Sequence, residues 1–135
     1  MKKFYIASKL ENEVQVRQLA QNLKNAGWEH TYDWTVHGFV KNEKDLAKVA
    51  VNEIEGVIKA DYTIVLLPGG RGTHTELGAA IVSRGWKTSS RIIIWAESEE
   101  YFLQDDRVCS FYWLPIVIKI VCPFEKLFNY ITSLE

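Results

Sequence analysis

Short apolar runs alternate with amphipathic segments along the chain. Five runs predict strands: 4–7, 29–32, 62–67, 91–96 and 115–121. Four segments with apolar residues every three or four positions predict helices: 14–26, 43–60, 73–84 and 124–134. Gly27 follows the first helix where a left-handed C-cap is common, Asn42 can cap the second, and Pro123 suits the start of the last.

Strands that alternate with helices predict a parallel sheet covered by helices on both faces. The expected fold class is α/β, a Rossmann-like or flavodoxin-like three-layer sandwich with a five-stranded parallel sheet. A chain of 135 residues with 47% hydrophobic and 13% aromatic content can bury one core. Residues 1–135 are therefore expected to form a single domain.

Charge and the amino-terminal segment restrict the partners. The chain has 16 basic and 17 acidic residues and a net charge of -1, which gives no footprint for a nucleic-acid polymer or an anionic membrane. The first residues, MKKFYIASKLENE, turn polar too early for a signal-peptide core, and no apolar run approaches a bilayer span. We expect a cytoplasmic protein that binds a small molecule.

The two cysteines, Cys109 and Cys122, are accompanied by no CxxC pattern and no paired-histidine spacing. Two such cysteines predict buried free thiols rather than a disulfide framework. The sequence also predicts no metal site.

The stretch PGGRGTHTELG, residues 68–78, follows the third predicted strand and opens the next helix. In parallel sheets, ligands bind where the carboxyl ends of strands lead into helix N-termini. Gly69, Gly70 and Gly72 would let the backbone approach a ligand, and free amides near Thr73 favour a negative charge. Glu76 is either an ordinary acid early in the helix or a carboxylate with a catalytic role. The loop matches neither the GxGxxG fingerprint nor the P-loop.

Glu53 interrupts an apolar stripe of the second predicted helix, formed by Leu46, Val49, Ala50 and Val57. Burying an unpaired carboxylate is costly, so Glu53 either lies at a solvated edge or faces a polar pocket. Two carboxyl groups that meet in one cleft in different environments would supply a nucleophile and an acid for glycosidic-bond chemistry.

Three motifs in order resemble the nucleoside 2-deoxyribosyltransferase superfamily over most of the chain: FYIAS, NEIEGVIKAD and GTHTELGAA. The resemblance implies that Glu76 is the nucleophile that attacks C1′ of the sugar and that Tyr5 hydrogen-bonds it. Counting back eight positions from Asp61 gives Glu53, which would contact the departing base and assist its protonation. The implied activity is cleavage or transfer at the N-glycosidic bond of a (deoxy)nucleoside or its 5′-monophosphate, without metal or organic cofactor.

Departures from that family leave the substrate open. The family commonly has aspartate where this chain has Glu53, and Arg71 stands where many transferases carry an acid or a neutral residue. The string PGGRGTHTE also resembles the PGGxGTxxE motif of the cytokinin-activating phosphoribohydrolases, although the second glycine-rich arginine motif of that family is missing from the sequence. A related branch of the transferase group hydrolyses deoxynucleoside 5′-monophosphates, which implies Ser8, Lys9, Arg71 and Thr73 as phosphate-binding candidates.

Further candidates each have an ordinary alternative. Asp33 and Trp34 either lie at the pocket rim, with the indole stacked on a base, or serve packing. His74 either touches a phosphate or faces solvent. The aromatic cluster FYWLP, residues 111–115, is typical of interfaces, and the resemblance implies a homo-oligomer, a dimer or higher, in which a neighbouring subunit completes the site. A nucleotide-binding module without turnover is the alternative to an enzyme.

Overall fold

The computed structural model describes residues 1–85, 91–103 and 108–134. Its strands are β1 (Lys3–Ala7), β2 (Glu29–His30), β3 (Tyr62–Leu66), β4 (Arg91–Ala96) and β5 (Val117–Val121). Its α-helices are α1 (Glu13–Asn25), α2 (Glu43–Lys59), α3 (Arg71–Arg84), α4 (Glu100–Leu103) and α5 (Phe124–Thr132). Short 3₁₀ helices cover Leu10–Asn12, Trp34–Val36 and Ser110–Trp113.

The strands form one parallel sheet in the order β2-β1-β3-β4-β5. Helix α1 packs beside α5 and helix α2 packs beside α3, so each face of the sheet carries a helical layer. This arrangement confirms the predicted α/β sandwich, and its strand order is that of flavodoxin-like folds. The order reverses between β1 and β3, and ligands in such sheets bind at the reversal, outside the carboxyl ends of the strands.

The core is centred on β3 and β4. Every residue of β3 is buried, as is β4 from Ile92 to Ala96. Strands covered on both faces are usually continuous runs of Val, Ile and Leu, and both runs have that composition. The predicted apolar face of α1 is buried, and Gly27 has the positive φ of 89° that suits a helix C-cap.

Strand β2 is shorter than predicted because the chain leaves the sheet after His30. The amide of Thr31 still donates to the carbonyl of Phe4, but the Thr31 hydroxyl donates to the Gly56 carbonyl over 2.8 Å. This bond turns the chain toward α2.

Helix α3 and strand β5 also begin at residues other than those predicted. Helix α3 begins at Arg71 rather than at 73, because the Gly70 amide donates to Oγ1 of Thr73 and sets the N-terminus earlier. Strand β5 begins at Val117 rather than at 115, because the Val117 amide first closes a turn onto the carbonyl of Leu114.

The first half of α2 stands away from the core, which contradicts the predicted buried stripe. Leu46 and Ala50 are exposed and Val49 is half-buried, whereas the buried residues of α2 are Gly56 and Val57. This half of the helix lines a cleft instead of covering the sheet. Asn42 caps α2 as predicted. No helix in the described part of the chain is both long and apolar enough to cross a membrane.

Candidate active site

The centre of the candidate site is a buried hydrogen bond between β1 and α3. Tyr5 is fully buried and donates its hydroxyl proton to Oε2 of Glu76 over 2.8 Å. Glu76 lies in the second turn of α3 and is 5% exposed. Burial raises the pKa of Tyr5 far above its ordinary value, and the negative charges of Glu76 and Glu53 raise it further. Tyr5 therefore keeps its proton and donates a hydrogen bond to Glu76 throughout the ordinary pH range.

Glu53 of α2 forms a carboxyl pair with Glu76. Glu53 is half-buried and its side chain hydrogen-bonds Glu76. Burial raises the pKa of Glu76 well above its ordinary value, and the hydrogen bond with Glu53 adds to this, against the lowering effect of the bond from Tyr5. A hydrogen bond between two carboxyl groups needs one proton, and the raised pKa of Glu76 keeps that proton on Glu76. The pair can therefore both store a proton and release one.

Gly56 allows α2 to approach β1 closely enough for this contact. A Cβ at position 56 would lie 2.9 Å from the Cβ of Tyr32 and 3.0 Å from Cδ2 of Tyr5. Hydrogen is the only side chain that fits between these groups without displacement. Gly56 follows Glu53 by three positions, so both lie on the same side of the helix. The close approach at Gly56 thus delivers Glu53 to Glu76.

A cleft of about 340 Å³ opens above the carboxyl pair. One wall is mainly apolar and comes from the segment before α2 and from α2 itself: Trp34, Phe39, Val40, Leu46 and Val49. The other wall is mostly polar and comes from the segment after β1 and the start of α3: Ser8, Lys9, Leu10, Gly70, Gly72 and Thr73. Glu53 and Glu76 both line the cleft. A ligand with one apolar and one polar end would fit this division.

The predicted phosphate-binding residues differ in their surroundings. Ser8 donates its hydroxyl proton to the Leu66 carbonyl over 2.8 Å. The side-chain amide of Asn12 donates both to Oγ of Ser8 and to the Pro68 carbonyl, at 2.9 Å each. The Ser8 proton is thus engaged in joining the loops that follow β1 and β3. Lys9 lines the cleft and makes a loose contact of 3.9 Å with Glu11.

Some residues of the glycine-rich loop line the cleft and others do not. Gly70 and Gly72 line the cleft, and the buried Thr73 holds the Gly70 amide through Oγ1 at 3.0 Å. Gly69 lines a neighbouring cavity. Arg71 is exposed at the first position of α3. Its side chain is therefore a surface charge beside the helix N-terminus.

Asp33 and Trp34 are fixed by contacts within the chain. Asp33 accepts hydrogen bonds from the amide and the hydroxyl of Thr35. Burial alone would raise the pKa of Asp33, but these two bonds, together with the nearby His30 and Lys24, outweigh it and hold the pKa below its ordinary value. Trp34 donates its ring N–H to the Ile6 carbonyl over 2.7 Å and is buried, yet it lines the cleft. Asp33 acts as a local cap, whereas Trp34 is a rigid part of the apolar wall.

His74 and Tyr112 form a brace that the sequence did not indicate. His74 Nδ1 lies 2.7 Å from the Gly70 carbonyl, and Nε2 lies 2.6 Å from the hydroxyl of Tyr112. A carbonyl can only accept, so Nδ1 carries a proton, and in the neutral ring the Tyr112 hydroxyl then donates to Nε2. Tyr112 is 3% exposed, which contradicts its predicted place in an interface; Phe111 and Trp113 are exposed. Of the two cysteines, Cys122 is buried as predicted, but Cys109, beside this brace, is only half-buried.

Solved structures share the fold at low sequence identity. A conserved protein from Enterococcus faecalis V583 matches with a TM-score of 0.57 and 17% identity, over 98% of each chain. The response regulator protein TrrA from Thermotoga maritima, in complex with Mg²⁺ and BeF, matches with a TM-score of 0.53 and 17% identity, over 100% of each chain. These matches show a common α/β fold and nothing finer. No protein-family model and no curated protein matches the sequence.

The response regulator was solved with magnesium. Among residues 1–85, 91–103 and 108–134, no group of three or more His, Cys, Asp or Glu side chains could hold a metal ion. The likeness to the response regulator shows the common fold alone.

Proposed function

We propose that this protein cleaves the N-glycosidic bond of a (deoxy)nucleoside or its 5′-monophosphate through a glycosyl-enzyme intermediate on Glu76. The observation that carries the proposal is the buried Glu76 carboxyl, held by Tyr5 and hydrogen-bonded to Glu53 in the wall of one cleft. Glycosidic cleavage with a covalent intermediate requires such a pair, one group as nucleophile and one as acid.

The proton of this carboxyl pair gives the first chemical step. When the base of the substrate lies against Glu53, the proton of the pair moves to Glu53 and leaves Glu76 as a carboxylate. Glu76 attacks C1′, the C1′–N bond breaks, its electrons go to the base nitrogen, and the base takes up the proton from Glu53. The Tyr5 hydroxyl stabilises the carboxylate before attack and after its release.

The second step returns the enzyme to its starting state. A water molecule or a second base attacks C1′, and the ester bond to Glu76 breaks with its electrons returning to the carboxylate. Glu53 takes the proton that the attacking group loses. Water as acceptor makes the protein a hydrolase, and a base makes it a transferase.

The two walls of the cleft favour one orientation of the substrate. The flat face of the base suits Trp34, Phe39 and Leu46, which line the same cleft as Glu53. The sugar then lies over the start of α3, where backbone amides and Lys9 favour a negative group such as a 5′-phosphate. A 5′-monophosphate is also the substrate that the PGGRGTHTE string suggests through its resemblance to the phosphoribohydrolases.

The test is base release from a panel of nucleosides and 5′-monophosphates, with and without a free acceptor base, followed by chromatography. Glu76→Gln should abolish release and Glu53→Gln should lower it by about 10²–10⁴-fold, the usual range for a general acid. Glu55→Gln, on an exposed position of the same helix, is the matched control. If the wild-type protein binds nucleotides but releases no base from any substrate, the enzyme proposal fails and a binding module replaces it.

A further inference from the structure

A second cavity, of about 680 Å³, lies on the other side of the glycine-rich loop from the cleft. Its walls come from the end of β3, from α3 and α4, and from residues that precede β5, and they include Gly69, His74, Tyr101, Cys109 and Tyr112. The reaction proposed above uses none of these side chains.

The cavity and the cleft are neighbours. Lys9 lines both of them. The glycine-rich loop lies between them, with Gly69 on the cavity side and Gly70 on the cleft side. Lys9 therefore lies at the boundary between the two spaces.

The direction of the substrate leads to this boundary. The base must lie beside Glu53 to receive its proton, and C1′ must face Glu76. With the base at Glu53 and C1′ at Glu76, the polar groups of the cleft that are left for the rest of the sugar are those at the start of α3 and Lys9. A substituent on C5′ would then lie beside Lys9, at the boundary.

The walls of the cavity combine polar groups with aromatic rings. Tyr101, Tyr112 and His74 present aromatic groups, and the brace between Tyr112 and His74 fixes two of them before a ligand arrives. Phe102 supports Tyr112 edge-on at a centroid distance of 5.7 Å. Aromatic side chains stack on any nucleobase, since every base has a π-face. At the boundary, the loose contact of Lys9 with Glu11 leaves the ammonium group able to pair with phosphate.

We propose that the cavity receives the 5′ substituent of the substrate and that this substituent is a diphosphate joined to a second ring-bearing nucleoside. The phosphates lie at Lys9, and the second ring packs against Tyr101 over a floor made by Tyr112. The substrate class is thus a dinucleotide rather than a free nucleoside. This inference rests on the proposed function, because the position of the base at Glu53 determines where the sugar and its 5′ substituent lie.

The experiment compares substrates that share one base and one sugar: the nucleoside, its 5′-monophosphate, its 5′-diphosphate and the symmetric dinucleoside 5′,5′-diphosphate. The kcat/KM of the dinucleotide should exceed that of the diphosphate by about tenfold, the lower range for one stacked base. Equal values for the two would overturn the inference, because charge alone would explain binding. A nucleoside reaction stimulated equally by free mononucleotide would also overturn it, since the cavity would then hold a separate ligand.

Two variants test the cavity directly. Tyr101→Ala removes the stacking surface, and Cys109→Phe fills part of the space. Each should lower the ratio of dinucleotide to monophosphate kcat/KM by about tenfold, while Tyr130→Ala, a half-exposed tyrosine on α5, should leave the ratio unchanged. A loss that is equal for both substrates would overturn the inference.

Binding separates this inference from the proposed activity. In Glu76→Gln, calorimetry should show the dinucleotide bound about tenfold more tightly than the monophosphate, equivalent to about 1.4 kcal/mol. Adding Tyr101→Ala should remove that difference. If this pattern appears while wild-type protein releases no base, the cavity assignment stands and the enzymatic proposal fails. If base is released but the dinucleotide and the monophosphate bind equally tightly, the enzymatic proposal stands and the cavity assignment fails.

Discussion

Replacing Gly56 with alanine should separate Glu53 from Glu76 without unfolding the protein. The new Cβ would lie 2.9 Å from Cβ of Tyr32 and 3.0 and 3.2 Å from two ring carbons of Tyr5. Non-bonded carbons prefer roughly 3.5–4.0 Å, so α2 must withdraw by about 0.5–1 Å. Glu53 precedes Gly56 by three positions and moves with it, so its hydrogen bond to Glu76 is stretched.

The cost in stability is small compared with the expected cost in rate. Overpacking costs about 1–3 kcal/mol, while alanine in place of glycine in a helix returns about 1 kcal/mol, so the net loss is about 0–2 kcal/mol. A misplacement of about 1 Å in a catalytic group can lower the rate by about 10²-fold. The two effects are therefore distinguishable in one variant.

The assay combines thermal unfolding with kcat/KM measured across pH. Gly56→Ala should remain folded at room temperature, lose about 10²-fold in turnover, and show a lower pKa for Glu76, because the Glu53 bond that raises it is weakened. Gly78→Ala is the matched control, since a Cβ there meets nothing within 4 Å. Wild-type turnover with an unchanged pH profile in Gly56→Ala would refute the assignment of Gly56 as the residue that positions Glu53.

Other predictions concern the same groups and the assembly. Tyr5→Phe removes the hydrogen bond that lowers the pKa of Glu76. The pH profile of kcat/KM should therefore move to higher pH, and turnover at neutral pH should fall by about 10²-fold, as measured by steady-state kinetics. Because the native pKa of Glu76 is raised, the folded state keeps a proton that the unfolded chain loses, and stability should fall as pH rises above about 4.3 toward the native pKa. Urea unfolding at several pH values should show this decline in wild type and not in Glu76→Gln. Phe111→Asp and Trp113→Asp should weaken a homo-oligomer in sedimentation experiments, and a monomeric wild-type protein at micromolar concentration would contradict this prediction.

The fold was predictable where burial imposes a clear period. The run 91–96 coincides with β4, and the run 62–67 exceeds β3 by one residue, because strands buried on both faces are continuously apolar. The pattern failed for the first half of α2, since an apolar stripe on a helix looks the same whether it covers a sheet or lines a cleft. It also failed for β2, whose end is set by the hydrogen bond of Thr31 to Gly56, a contact 25 residues away in the sequence.

The candidate site was only partly visible in the sequence. Glu76 and Glu53 stood out because Glu76 closely follows a glycine-rich loop and Glu53 interrupts an apolar stripe. The contact between Tyr5 and Glu76 was predicted only from the family resemblance. The two residues are 71 positions apart, and the local sequence of a strand does not indicate which distant residue a side chain will contact. The brace between His74 and Tyr112 spans 38 positions and gives no local signal at all. The roles of these residues in catalysis stay predictions.

The order of the strands has a consequence for the synthesis of the chain. Tyr5, Glu53 and Glu76 all lie in the first 76 residues, yet β3 pairs with β4 on its far side, and the loop after β3 is braced by Tyr112 through His74. A ribosome delivers the amino-terminal segments first, at about 5–20 residues per second. Every residue that lines the cleft precedes residue 77, so the carboxyl pair and its cleft are made together, and the strand that supports β3 on its far side is made after them. A nascent chain therefore carries all groups of the site for about a second or more before β4 is made.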